Sequence, residues 1–240
     1  MFRVSYDLHI HSCLSPCGDM DMTPANIVGM AMIKELEVVA LTDHNSVRNC
    51  APFMNIAKQY GIIAIPGMEL TTMEEVHVVC LFEDLNKAMA FDREVYGKLQ
   101  KVPNCPEIFG QQVMMDEEDE PCGIEDNLLI NATDISFDDV WEFVNRYDGV
   151  MIPAHIDKNS NSLFSNLGFV PEGSRFTCVE VKNMSNWHKL KAQHPYLVRC
   201  NVITSSDAHY LENINEPINY LTVREKSIKG VLDALREMMA

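Results

Sequence analysis

The sequence predicts an α/β protein built on a parallel sheet, open or closed into a barrel. Two observations predict it. Short apolar runs of strand length alternate with stretches of helical pattern along most of the 240 residues, the rhythm of repeated strand–helix units. Histidines and acids also recur just after the apolar runs, at the strand ends where parallel α/β folds assemble their sites.

The first strand, "RVSYDL", runs into "DLHIHS" at residues 7–12. Residues two apart on a strand share a face, so His9 and His11 project side by side, an arrangement better suited to chelation than to a core. "TPANIVGMAMIKELE" follows as a helix, with Thr23 as N-cap, Pro24 at the first helical position, and Ile27, Met30, Ala31 and Ile33 for the sheet. "EVVALT" is the second strand. "VRNCAPFMNIAKQYG" is the second helix, with Pro52 in its first turn and Gly61 at its end. The runs "IIAIPG", "VHVVCLF", "GVMIPAH", "CVEVKN", "NVITSS" and "INYLTV" read as further strands, and "DLNKAMAFDREVYGKLQ", "SFDDVWEFVNRYDG" and "SIKGVLDALREMM" as further helices. The segment from about Val102 to Asp134 breaks the rhythm and holds the acid run "MDEEDEPCGIED". It reads as an inserted loop or hairpin within a single domain spanning residues 1–240.

Net charge is −16. That argues against a long nucleic-acid footprint, which needs clustered Lys and Arg, and against an anionic membrane surface. No signal-peptide pattern or membrane-length apolar run is visible. Several of the eight cysteines lie inside strand-like runs, as small buried hydrophobes do. A cytoplasmic protein with reduced thiols is expected.

Six of the eight histidines lie at or near strand ends: His9 and His11, then His44 in "LTDHNS", His77, His155 in "IPAHID", and His209 in "SSDAHY". Asp43, Glu69 and Asp207 accompany them, whereas His188 and His194 fall on a polar segment and read as surface residues. Each position alone has an ordinary structural explanation. Together they form the ligand set of a multi-metal site. Mixed imidazole and carboxylate donors suit zinc, manganese or iron better than magnesium or calcium. The donors exceed the needs of one ion, so two to three divalent ions are expected, with Glu69 able to bridge.

The order H-x-H, T-D-H, Glu, His, His, D-x-H resembles the PHP (polymerase and histidinol phosphatase) domain. "DLHIHS", "LTDHNS", "PAH" and "SSDAH" resemble its four motifs, and "GMEL" and "VHVVCLF" its intervening positions. The resemblance runs from residue 7 to 209. It implies a distorted seven-stranded (βα) TIM-like barrel with a trinuclear metal centre and a metal-dependent phosphoesterase activity. Carried over, it implies one ion held by His9, His11, Glu69 and Asp207, a second by Glu69, His77 and His155, and a third by His44 and His209, with Asp43 orienting neighbouring imidazoles. Family members often place a His or Asp a few residues after H-x-H. Here the stretch is "HSCLSPCGD", and Cys17 is either a thiolate ligand or a buried thiol in a turn; Asp19 is a weaker candidate.

The expected chemistry is phosphoester hydrolysis by a metal-activated hydroxide, with Glu69, Asp207 and His209 as catalytic residues, the last two as possible general acids. Arg48 and Lys158 stand near the motifs as possible phosphate contacts or as ordinary surface cations. No P-loop or nucleophile elbow competes. The charge balance leads to the expectation of a small phosphorylated substrate, with no long nucleic acid and no membrane. A nucleotide or short-oligonucleotide phosphodiesterase or exonuclease, an amidohydrolase and a non-catalytic metal-binding module are the alternatives.

Overall fold

A computed structural model describes residues 1–238. In chain order its strands are β1 (Phe2–Ile10), β2 (Val38–Leu41), β3 (Ile63–Thr71), β4 (His77–Leu81), β5 (Val113–Met115), β6 (Pro121–Ile124), β7 (Val150–Pro153), β8 (Cys178–Glu180), β9 (Asn201–Ile203) and β10 (Tyr220–Val223). Its helices are α1 (Pro24–Ile33), α2 (Cys50–Gln59), α3 (Leu85–Lys98), α4 (Pro106–Phe109), α5 (Phe137–Asn145), α6 (Leu163–Asn166), α7 (Trp187–Gln193) and α8 (Ile228–Arg236).

Local chemistry sets the helix ends. Thr23 caps α1 by accepting from the Asn26 amide, with Pro24 in the first turn. Asp84, Ser136 and Ser227 cap α3, α5 and α8 in the same way. The chain leaves α2 through Gly61, whose φ of +71° suits glycine. Asn49 precedes α2 without capping it; its side chain instead donates to the Val113 carbonyl and accepts from the Met115 amide. It thereby ties the β5–β6 hairpin to the site's side of the molecule.

The fold is mixed α/β, as the alternating pattern implies. The continuous sheet has six strands in the order β10-β1-β2-β3-β4-β7, and β8 and β9 form a separate parallel pair. This departs from the distorted seven-stranded barrel implied by the resemblance. β10 pairs antiparallel with the first half of β1, from Phe2↔Val223 to Ser5↔Tyr220, and β8 and β9 are three residues each. The sheet nonetheless curls. Val4, Tyr6 and Leu8 of β1, Ile152 of β7, Cys178 of β8 and Ile203 of β9 share one inner core, closed by Val231, Leu232 and Leu235 of α8. A second core lies between the outer face and the other helices, around Phe53, Phe82 and Phe91. At the mouth the remaining gaps are stitched by single backbone bonds: Asp207 N to His9 O and His11 N to Ala208 O, each 2.9 Å, and Ile156 N to Glu180 O, 2.9 Å.

Direction explains how the site is filled. β4 runs antiparallel to β3, and β7 antiparallel to β4. The first residue of β4, His77, therefore sits at the same end as the last residues of β3. Glu69 lies inside β3 rather than after it, because the strand continues through Pro66 and Gly67 to Thr71. The segment at residues 102–134, expected as an inserted loop or hairpin, contains α4 and the β5–β6 hairpin. In that hairpin Asp119 accepts from the Thr23 hydroxyl and the Ala25 amide, at the N-terminus of α1.

Candidate metal centre

The centre starts with an irregularity in β1. Val4, Tyr6 and Leu8 face the inner core, but Ile10 joins the outer one. The β1–β2 register shifts between Asp7 and Ile10, and a one-residue slip exchanges the faces of a strand. His9 and His11, on either side of Ile10, consequently converge, with their Nε2 atoms 3.2 Å apart. Asp7, fully buried, accepts from the amides of Ser206 and Asn215. It fixes the loop that carries Asp207 beside those histidines.

Five imidazoles surround Glu69. His9 Nε2 lies 3.2 Å, His77 Nδ1 3.0 Å and His155 Nε2 3.1 Å from its Oε1; His44 Nδ1 lies 3.1 Å and His11 Nε2 3.4 Å from its Oε2. Asp207 Oδ1 is 3.6 Å from His9 Nε2 and 3.4 Å from His11 Nε2. His209 stacks on His11 with ring centroids 4.2 Å apart. Three sets of donor atoms converge within 4.8 Å: His9, His11, Glu69 and Asp207; His44, Glu69 and His77; and His11, His44 and His209.

The surroundings fix tautomers. Ser15 Oγ donates to Asp43 and has one proton, so the 2.9 Å contact with His11 runs from His11 Nδ1–H to Ser15. His9 Nδ1–H donates to Glu180, both of whose oxygens are 3.1 Å away. His209 Nδ1 meets the Asp207 carbonyl at 3.1 Å. All three rings thus turn Nε2 toward the common centre, the arrangement by which outer partners prepare ligating histidines. Asp43 reaches His11 through Ser15, and its oxygens also accept from the Ser12 amide and hydroxyl.

This donor set fits metal ions. His44 Nδ1, Glu69 Oε2, His77 Nε2 and His155 Nδ1 are buried with no hydrogen-bond partner, which is costly for groups withdrawn from water. Two Nε2 atoms facing each other at 3.2 Å beside two carboxylates call for positive charge between them. The electrostatics agree. Burial pushes the Glu69 carboxyl up, but His77, His9 and His44 outweigh it and hold it well below the usual carboxylate range. Burial would also neutralise His9, yet Glu180, Glu69 and Asp207 draw positive charge onto it. His209, buried beside His11, is pushed down to about 4. His155 and Asp207 are held at φ of +30° and +56°, conformations that bulky residues keep only where the surroundings enforce them. The amide of His155 donates to Glu180, and that of Asp207 to His9 O.

Two sequence-based assignments need adjustment. Cys17 belongs to none of the three donor sets; it is exposed, at φ +65°, with its amide bonded to Phe109 O. His11, not Cys17, completes the group with His44 and His209. Arg48 does not face the centre, being paired with Glu125 over the Tyr96 ring. Lys158 does reach it, with Nζ 3.1 Å from Asp207 Oδ2. Glu180 and Ser15 were not singled out from sequence. Glu180 left one signal, a lone acid closing the apolar run "CVEV" much as Glu69 closes "GMEL".

The chain is similar to several known proteins. An uncharacterised protein of Methanocaldococcus jannaschii, MJ1587, is 36% identical over 93 residues, covering 35% of this chain and 54% of that protein. The 5'-3' exoribonuclease Rnm of Escherichia coli is 33% identical over 89 residues, 35% of this chain and 29% of the enzyme. The matched stretch thus spans about half of the first relative and under a third of the second. Among solved structures, the lesion-specific endonuclease PfuEndoQ of Pyrococcus furiosus superposes with a TM-score of 0.69 at 18% identity, over 99% of this chain and 58% of that one. Endonuclease Q in complex with a 27-mer duplex substrate gives 0.68 at 18% identity, over 98% and 57%.

These likenesses overturn the expectation of a small phosphorylated substrate without long nucleic acid, since the proteins sharing this segment and this fold include an exoribonuclease and an endonuclease seen on a duplex. The inference failed because net charge averages over an uneven surface: residues 158–206 hold six Lys and Arg against two Asp and Glu. As for membranes, no helix among the described residues is long and apolar enough to cross one. Residues 7–98, which carry H-x-H, T-D-H, Glu69 and His77, match the PHP domain.

Proposed function

We propose that this chain is a metal-dependent phosphoesterase that hydrolyses phosphodiester bonds in nucleic acid. The observation that carries the reading is the convergence of five histidines on one buried carboxylate, Glu69. His9, His11, Glu69 and Asp207 would hold one ion, His77 and His155 with Glu69 a second, and His44 and His209 with His11 a third. The imidazole–carboxylate shell suits zinc, manganese or iron. When bound, such ions supply positive charge to phosphate oxygens and acidify water.

The chain's own groups do the rest. Glu69 joins the positions and fixes their spacing. Glu180, Ser15 and Asp43 hold the rings of His9 and His11 in place. Lys158, half exposed beside Asp207, offers an ammonium to a phosphate oxygen at the mouth. Asp207 and His209 line that mouth, with side chains 10% and 21% exposed. They are the groups placed to orient the attacking water and the leaving oxygen.

The nucleic-acid class rests on the likeness to nucleases in sequence and in fold. The test is to offer metal-depleted protein end-labelled single-stranded RNA and DNA, with and without added manganese or zinc. Metal-dependent hydrolysis, lost in Glu69→Gln, is expected. Intact oligonucleotides in the presence of protein shown to be metal-loaded would refute the reading.

A further inference from the structure

We propose that the cleft between α6 and α7 is a track for one polynucleotide strand, leading into the metal centre, with Lys189 as a phosphate contact outside it. The proposal rests on the nuclease reading above and extends it to a second surface.

Charge distribution is the first support. The chain carries −16, but residues 158–206 carry +4, from Lys158, Arg175, Lys182, Lys189, Lys191 and Arg199 against Glu172 and Glu180. The remainder of the chain therefore holds −20. Glu180 is buried against His9, so it contributes little to the surface. Between residues 181 and 206 no acid occurs at all. Lys182, Lys189 and Arg199 are exposed. A positively charged groove that tracks a backbone is the feature that sequence-tolerant strand binding requires.

Position is the second. A cleft of about 450 Å³ is lined by Lys158, Asn159, Phe164, Asn186, Lys189 and Gln193, among others, a volume in the range of ligand-binding clefts. Its inner end is the centre itself, because Lys158 Nζ bonds Asp207 Oδ2 at 3.1 Å. Lys182 bonds the carbonyl of Ser206, one residue before Asp207. Lys158 and Lys189 thus line one cleft and Lys182 lies beside its inner end, a placement that suits a single strand. Besides Asp157, Ile156 and Leu190, the rest of the lining is amides, a serine and the Phe164 ring, which already stacks on His194 at 3.9 Å. Such a wall offers hydrogen bonds and a π-face without sequence readout.

The one carboxylate in the cleft is engaged by neighbouring amides. Asp157 accepts from the amides of Lys182 and Asn183 and from the Asn186 side chain. Its oxygens serve to pin the start of the basic segment against the site, and they are occupied in doing so.

The experiment measures binding by fluorescence anisotropy, on the whole chain, to a labelled single-stranded oligonucleotide of about twenty nucleotides across a salt series. It compares wild type with Lys189→Glu and Lys189→Arg, and measures KM against strand length. Wild type is expected to bind with a steep salt dependence and to show KM falling with length. Lys189→Glu should weaken binding roughly five- to tenfold, flatten the length dependence, and lower the salt slope by about 0.7, the contribution of one phosphate contact on a single strand. Lys189→Arg should restore all three. Wild-type affinity and length dependence in Lys189→Glu would overturn the track while leaving the nuclease reading standing, as would tighter binding of duplex than of single strand. Strand binding that follows this pattern without hydrolysis would support the track and refute the nuclease reading. No binding by wild type would overturn both.

Discussion

Glu180 grips His9 with both carboxylate oxygens 3.1 Å from Nδ1, and the same Glu180 accepts the backbone amide of His155 at 3.1 Å. One buried acid therefore sets the tautomer of a ligand on β1 and the strained backbone of a ligand after β7. Glu180→Gln should keep the fold but lower metal affinity by about ten- to a hundredfold, the usual cost of losing such a partner. Calorimetric metal titration beside circular dichroism checks this, and wild-type affinity in the variant would reduce Glu180 to a packing residue.

Ser15 is the narrowest link between Asp43 and the centre. It donates to Asp43, accepts from His11, and accepts from the His44 amide. Ser15→Ala should leave a buried Asp43 oxygen short of a donor, at about 1–3 kcal/mol of stability, and free His11 to change tautomer. The expected result is a lower melting temperature together with weaker metal binding. A variant that loses stability but binds metal as wild type does would show that the ring needs no relay.

The cysteines divide by burial. Cys13, Cys50, Cys80, Cys178 and Cys200 are buried, Cys105 is intermediate, and Cys17 and Cys122 are exposed. Burial pushes the Cys13 thiol up to about 12 and that of Cys200 up to about 11, so neither supplies thiolate at neutral pH. A thiol reagent should modify Cys17, Cys122 and more slowly Cys105 in the native protein, and all eight after unfolding. Cys17 should react at the same rate with and without bound metal. Protection of Cys17 by metal would restore it as a ligand.

Much of the centre was legible in the sequence because it is written in short motifs. H-x-H, T-D-H and D-x-H each place their donors by strand periodicity or a single turn, and Glu69 and His77 fall where an antiparallel return brings them to one end. What was not legible depends on pairing. The shift between Asp7 and Ile10 that turns His9 and His11 into the centre is set by β2. The contact between β1 and the 206–208 loop, which brings Asp207 to His9, joins residues nearly 200 positions apart. Glu180 sits on a three-residue strand with no motif around it. The distorted seven-stranded barrel did not appear because β10 takes an edge of β1. The substrate class was misjudged because −16 is a sum, and an acidic total conceals the basic segment beside Lys158.

Glu69 is the residue on which the account depends, since every donor set but one contains it. The most direct test is elemental analysis of wild type and Glu69→Gln after identical reconstitution with zinc, manganese or iron, with circular dichroism to confirm that both are folded. The account predicts about two to three ions per chain in wild type and a loss of at least one in Glu69→Gln. At most one ion in reconstituted wild type, or an unchanged metal content in the folded variant, would contradict it.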